Sequence, residues 1–355
     1  MNLQKKSIIL ISAFLIVLAL NLKAKKPQNV IFMIGDGMGL SQIYAGMVAN
    51  GNKLNLERCT YSGFSKTYSA NNFTTDSGAG GTALACGVKT NNYMIGVTPD
   101  SVAAESILEV AEKNNLATGI VVACAVTHAT PASFIAHQPN RNMNEEIALD
   151  FLKTDVDVFI GGGKKYFVER ADNQNLIEKL KQKNYNVAFT LDEVKAVTSG
   201  KLAGLLYEDQ SPNMPERGNM LTEGTMAAID ILDNNKKGFF LMIEGSQIDW
   251  ACHDNNAEQT VKEMLDFDKT IGKVLDFAEK DGNTLVIITA DHETGGMTIP
   301  TGDIVKGEIN AIYTTKGHSG TPVPVFAFGP GSQNFTGFMQ NTSFKNKIAK
   351  LLKIN

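Results

Sequence analysis

Asn29-Val30-Ile31-Phe32-Met33-Ile34-Gly35-Asp36-Gly37-Met38-Gly39 begins as an unbroken apolar, β-branched run and ends in glycines around one carboxylate. A strand that is apolar at every position, not at every second one, belongs in a sheet covered on both faces. In such sheets ligands gather at the carboxyl ends of the strands, which is where Asp36 stands. The pattern returns along the chain: Gly119 to Cys124 before Thr127-His128-Ala129-Thr130, Phe239 to Ile243 before Glu244, Leu285 to Ala290 before Asp291-His292, and Val325 to Phe328 before Gly329-Pro330-Gly331. Four of these five runs finish on groups able to bind a metal. A further strand, Val156 to Ile160, leads into Gly161-Gly162-Gly163, which fits no phosphate-loop frame and reads as a tight turn.

Helical patterns lie between the strands. Ala103 to Lys113, Glu145 to Lys153, Leu176 to Lys183 and Met220 to Leu232 read as amphipathic helices, and Val261 to Ala278 keeps a 3.6-residue period. Alternating strands and helices predict an α/β fold, a three-layer α/β/α sandwich around a large, mostly parallel central sheet. No repeat, low-complexity segment or linker divides the chain.

The first residues read as a secretory signal. Lys5 and Lys6 precede the apolar run Ser7 to Leu22, and Ala24 offers a small residue for cleavage, so residues 1–24 are expected to be removed. An uncleaved anchor is the alternative, because the run approaches the lower limit for a membrane span. Lys5, Lys6 and Lys23 would leave with the signal, taking the net charge from −4 to −7. That balance gives no support to nucleic-acid binding. With 43% hydrophobic and 20% charged residues, the remainder can bury a large core. Cys59, Cys86, Cys124 and Cys252 have no zinc-binding spacing, and their pairing is open.

Thr74-Thr75-Asp76-Ser77-Gly78-Ala79-Gly80-Gly81-Thr82-Ala83 places a hydroxyl at what reads as the start of a tightly packed helix. Free N–H groups at a helix start suit a serine that must carry negative charge, so Ser77 is the candidate nucleophile. Taken alone, Ser77 or Asp76 also reads as an ordinary cap. Asp249 and His253 are spaced i and i+4, which on a helix turns both side chains to one face at a separation suited to zinc. Adjacent Asp291 and His292 can reach one metal only where the strand becomes irregular. Convergence of Asp36, Asp249, His253, Asp291, His292 and His318 would mark a metal centre.

The segments Val30–Gly39, Thr75–Ala83, His128–Ala132, Glu244–Asp249, Thr289–Gly296 and Gly317–Gly320 together resemble the ordered motif set of alkaline phosphatases, from about residue 28 to the C-terminus. The resemblance implies two zinc ions and one magnesium ion per chain. Asp249, His253 and His318 would hold one zinc; Asp36, Asp291 and His292, joined by Ser77, the other; Asp36, Thr130 and Glu244 the magnesium. Arg141 would clamp two phosphate oxygens through its planar fork. The implied reaction is hydrolysis of phosphate monoesters in two displacements through a phosphoserine, with a broad substrate range. A homodimer is also implied, without a nucleic-acid partner, in the periplasm or outside the cell and free of the membrane once the signal is cut.

Two positions depart from the best-known bacterial pattern: His128 replaces an aspartate near the magnesium, and Trp250 replaces a lysine that holds phosphate through water. An imidazole at His128 would admit zinc at the third site. Loss of the cation at Trp250 predicts weaker phosphate retention. His137 has no motif role and reads as structural. Residues 25–355 are expected to form a single catalytic domain, with only a small insertion around 190–218. The rival readings are a phosphodiesterase of the same superfamily and a secreted protein that binds metal or phosphate without turnover. A sulfatase is disfavoured because Ser77-Gly78-Ala79 lacks the Ser-x-Pro-x-Arg context.

Overall fold

The computed structural model describes residues 26–355, so the expected signal segment lies outside the described residues. A 10-stranded sheet runs through the centre in the order β14-β2-β13-β8-β1-β7-β3-β4-β6-β5. Its strands are β1 (Asn29–Gly35), β2 (Tyr61–Lys66), β3 (Ala117–Ala125), β4 (Val158–Gly162), β5 (Tyr185–Ala188), β6 (Lys201–Leu205), β7 (Phe239–Gly245), β8 (Thr284–Thr289), β13 (Val323–Phe328) and β14 (Gly337–Gln340). Outside it lie two short antiparallel pairs: β9 (Glu293–Thr294) with β12 (His318–Ser319), and β10 (Met297–Asp303) with β11 (Glu308–Tyr313). Pairing within the large sheet is parallel except at β13, which runs against both β8 and β2.

Strand β1 shows why both faces need cover. Val30, Phe32 and Ile34 pack into one core, while Ile31 and Met33 pack into the other, all without solvent exposure. Burying each such side chain stabilises by about 1.5–3 kcal/mol, so neither face could be left open to water. Helices Ile107–Lys113 and Ser343–Leu352 supply side chains to the first core; Met220–Leu232 and Ala257–Asp281 supply the second. This is the expected three-layer sandwich.

Local chemistry sets the helix limits. The helix expected from Ala103 begins only at Ile107, because Ser106 caps it: Ser106 Oγ accepts from Glu109 N at 3.1 Å and Glu109 Oε2 from Ser106 N at 2.7 Å. The long helix Ala257–Asp281 starts at Asn256, whose side chain accepts from Gln259 N, and stops at Gly282 in a left-handed conformation. The expected turn at Gly161–Gly163 is displaced, since β4 runs through Gly162 and the chain bends at Gly163. Within 190–218, Lys201–Leu205 is a strand of the large sheet between β4 and β5, and residues 206–219 are irregular. All four cysteines are free thiols, and His137 sits in a structural bridge between Glu109 Oε1 at 3.0 Å and Gly96 O at 2.6 Å.

Candidate active site

The central strands β1, β7, β3 and β8 bring the site's residues to one edge. Asp36 follows β1, Glu244 lies near the end of β7, His128 and Thr130 follow β3, and Asp291 and His292 follow β8. Gly37 makes the close approach possible: its φ is +73°, and a Cβ there would lie 2.8 Å from Asp249 Cα. Asp249 and His253 occupy the helix Gln247–His253, with His253 Nε2 3.2 Å from Asp249 Oδ2, as their spacing predicts.

Ser77 opens the helix Ser77–Cys86, but it does not cap it. Asp76 is the cap, accepting from Ala79 N at 3.0 Å, which leaves the serine hydroxyl free. Ser77 Oγ instead lies 3.2 Å from His292 Nε2. The run of small residues behind it lets the helix sit close: a Cβ at Gly80 would be 3.1 Å from Asp291 Cβ, and one at Gly81 would be 2.8 Å from Ser133 Oγ.

Asp36, Asp291 and His292 converge around that serine. His292 Nε2 is 3.4 Å from Asp36 Oδ1 and 3.1 Å from Asp291 Oδ2, and all three side chains are fully buried. The second cluster joins Asp249, His253 and His318. His318 Nε2 is 3.2 Å from His253 Nε2 and 3.5 Å from Asp249 Oδ1, while its Nδ1 contacts Thr75 O at 2.8 Å. His318 arrives on β12, paired to β9 just beyond His292, and the two imidazoles stack with centroids 3.5 Å apart. The third group surrounds Glu244: Thr130 Oγ1 donates to Asp36 Oδ2 at 3.4 Å, and Ser246 Oγ and Cys124 Sγ donate to Glu244 Oε2 at 2.7 and 3.3 Å.

The ligand atoms of Asp249, His253 and His318 lie within 4.8 Å of one another; those of Asp36, Asp249 and His292, and of Cys124, His128 and Glu244, do likewise. Asp249 therefore stands beside both histidine clusters, and a thiol joins the third. Among the described residues Asp36 Oδ1 and Asp291 Oδ2 meet only the ion-pair contacts of His292, without a well-aligned hydrogen bond, and Glu244 Oε1 and His128 Nδ1 have no partner. Leaving such atoms unpaired in a buried site costs on the order of 1–3 kcal/mol each, more where they are charged. A divalent cation would satisfy them, so oxygen and imidazole donors here fit metal ions.

Burial and the crowded carboxylates dominate the electrostatics of the site. Burial and the neighbouring charges of Asp291, Asp249 and Glu244 push Asp36 well above the usual carboxylate range, and burial takes Glu244 up to about 7. Burial also works against ionisation of Asp249, yet the hydrogen bond from His253 and the nearby imidazoles hold it low. The hydrogen bond to Asp249 raises His253 to about 9, whereas burial and the adjacent His292 lower His318 to about 4. Burial and Arg141 take His128 down to about 3, which keeps its imidazole neutral and able to coordinate.

Arg141 lies at the rim. Its Nη1 donates to Asp76 Oδ2 at 2.9 Å and its Nη2 lies 3.3 Å from His128 Nε2, so the guanidinium is held against the residue that precedes Ser77. Trp250 stands edge-on to His128 with ring centroids 5.7 Å apart. Three participants are not singled out by the sequence reading. Thr294 Oγ1 donates to Asp249 Oδ1 and contacts His292 Nδ1 at 3.2 Å, bridging the two histidine clusters. Cys124 joins Glu244, and Asp76 orients Arg141. Their signals are weak: a threonine two residues past His292, a cysteine near a strand end, and an acid beside the serine.

A family model described as "Alkaline phosphatase" matches residues 27–312. Alkaline phosphatase 4 of Bacillus subtilis is 34% identical, over 92% of this chain and 89% of its own. Alkaline phosphatase H of Pseudomonas aeruginosa is 31% identical, over 94% and 87%. The solved alkaline phosphatase of the Antarctic bacterium TAB5 is 43% identical, with a TM-score of 0.89 over 94% of this chain and 100% of that one. A variant of the TAB5 enzyme has been solved with Mg bound in its M3 site.

Proposed function

The chain belongs to the alkaline phosphatase family and is a phosphatase, and we propose that it hydrolyses phosphate monoesters in two displacements with Ser77 as the nucleophile. The observation that carries this reading is the meeting of Ser77 Oγ with His292 Nε2 at 3.2 Å, beside the buried, incompletely hydrogen-bonded carboxylates Asp36 and Asp291. Asp249, His253 and His318 would hold one zinc, and Asp36, Asp291 and His292 with Ser77 a second. Asp36, Thr130 and Glu244 would hold a third cation, magnesium in the family resemblance. The neutral His128 and the thiol of Cys124 beside Glu244 favour zinc there. When bound, these cations would lower the pKa of the attacking hydroxyl and neutralise charge on the entering and leaving oxygens.

The protein's own groups do the positioning. Asp76 takes over the capping role, so the Ser77 hydroxyl can point at the phosphorus and attack it, forming a phosphoserine. Arg141, held by Asp76, turns its remaining donors to the nonbridging oxygens, fixing the phosphoryl group for both displacements. The alcohol departs on the side opposite the serine, toward Asp249, His253 and His318, and water then releases inorganic phosphate from the same side. Because these contacts grip the phosphoryl group, the alcohol can vary widely.

Arg141→Ala is expected to raise both KM for the ester and Ki for inorganic phosphate by about 10- to 100-fold, the loss of a charge-assisted bidentate contact. Steady-state kinetics with phosphate as competitor measures both. Equal values in the variant and the parent would remove Arg141 from the site.

We extend the reading to one catalytic domain over residues 25–355, in a homodimer that is periplasmic or secreted. The basic and apolar leader supports export, and no helix of the described residues is long and apolar enough to cross a membrane. The test is hydrolysis of an aryl phosphate monoester at alkaline pH, beside a matched diester, before and after chelation. Monoester turnover should far exceed diester turnover, vanish with the metals and return when zinc and magnesium are restored. Preference for the diester would assign a phosphodiesterase, and no turnover by the metal-loaded protein would assign a binding protein.

A further inference from the structure

Phe73 stands four residues before Ser77 and is 78% exposed, although its ring is large and apolar. The segment that carries it is braced. Asn92 Nδ2 donates to Thr74 O at 3.0 Å, Asn92 Oδ1 accepts from Asp76 N at 3.2 Å, and Thr74 N donates to Asn72 Oδ1 at 3.1 Å. The ring is seated on bare backbone: a Cβ built at Gly320 would lie 2.2 Å from Phe73 Cε1 and 2.8 Å from both Cδ1 and Cζ. Any other residue at 320 would displace it. One side of the ring therefore rests on Gly320, and most of the remaining surface faces solvent.

Gly320 is two residues past His318, whose Nδ1 contacts Thr75 O on the Phe73 side of Ser77. Phe73 is thus tied to His318 from two directions, through Gly320 two residues past it and through Thr75 two residues past Phe73, whereas the serine hydroxyl is engaged by His292. In an in-line displacement the leaving oxygen lies opposite the attacking one, so the alcohol departs on the His318 side, where the segment that seats Phe73 runs. An aromatic face seated on one side against Gly320 and otherwise open offers offset stacking to a planar group, worth more than the area it covers.

We propose that Phe73 is a specificity-determining platform for the leaving group, giving this phosphatase a preference for monoesters whose alcohol carries a planar aromatic ring. The proposal rests on the phosphomonoesterase reading above. Because the ring buries little surface, removing it should leave the fold intact.

The experiment compares kcat/KM for 1-naphthyl phosphate and glycerol 1-phosphate in the metal-loaded parent, Phe73→Ala, Phe73→Leu and Phe73→Trp, with phosphate inhibition and sedimentation alongside. Phe73→Ala and Phe73→Leu should lose about three- to ten-fold on the naphthyl ester. Glycerol phosphate turnover and phosphate inhibition should stay within about two-fold, as for a surface change off the phosphoryl contacts. Phe73→Trp should retain the aromatic preference. Equal losses on both esters, or none, would overturn the proposal while leaving the phosphatase reading in place. A uniform loss accompanied by a change in sedimentation would overturn it too, by assigning the ring to a subunit contact. A parent that turns over neither ester would sink both readings.

Discussion

Ser77→Ala is expected to lower kcat for an aryl phosphate by about 10³-fold or more while leaving the folded state almost unchanged. The two halves of that statement have separate physical causes. The hydroxyl stands 3.2 Å from His292 Nε2 among the buried carboxylates, so its loss would remove the proposed covalent route. Stability is spared because the helix cap is Asp76, whose bond to Ala79 N does not involve the serine, and because alanine is at least as good a helix former as serine. Turnover and far-UV circular dichroism with thermal melting measure the two halves. A variant that melts normally and retains more than a tenth of parental activity would assign the nucleophile elsewhere.

The second large effect is on stability. Arg217→Met is expected to destabilise the protein by about 3–5 kcal/mol, because it leaves buried carboxylates without their cation. Arg217 Nη2 donates to Asp266 Oδ2 at 2.8 Å and also to Glu263, and all three side chains are at most 2% exposed. The same guanidinium donates through Nη1 to Pro212 O at 3.0 Å, tying the irregular segment 206–219 to the long helix Ala257–Asp281. Methionine keeps much of the stem but none of the charge.

The pH dependence of the loss follows from the carboxylates. Burial already raises Asp266, with Arg217 opposing it, so removing the arginine raises it further. A carboxyl with a folded-state pKa above its unfolded value takes up its proton first in the folded state. Its destabilising effect is therefore full above that raised pKa and shrinks as pH falls through it. Urea denaturation at neutral and mildly acidic pH reads both the size and the slope. A loss below about 1 kcal/mol, or one that grows on acidification, would contradict the buried ion cluster. The segment's Ser211 O accepts from Gln247 Nε2 at 2.8 Å at the start of the helix bearing Asp249 and His253, so a secondary fall in metal affinity is also expected.

The strand and helix identities were set locally. Continuous apolar runs such as Val30–Ile34 are legible because a strand covered on both faces needs no polar position, and Asp249–His253 is legible because a helix repeats in under four residues. Those same rules put Asp36, Glu244, Asp291 and His292 at strand ends before any contact is known. How the ligands group was carried by the family resemblance, since no local period relates His318 to residues 65 or more positions away. The contact itself, His318 beside Asp249, is made through a two-residue strand pair too short to show a pattern in sequence. Only the tertiary structure turned β13 against its neighbours, drew Lys201–Leu205 into the large sheet, and set Thr294 against Asp249 and His292 and Cys124 against Glu244. The Arg217 cluster and the seat of Phe73 on Gly320 belong to the same class. Such contacts join distant segments whose meeting depends on strand order and close packing, so the energy that selects them exists only once the sheet has formed.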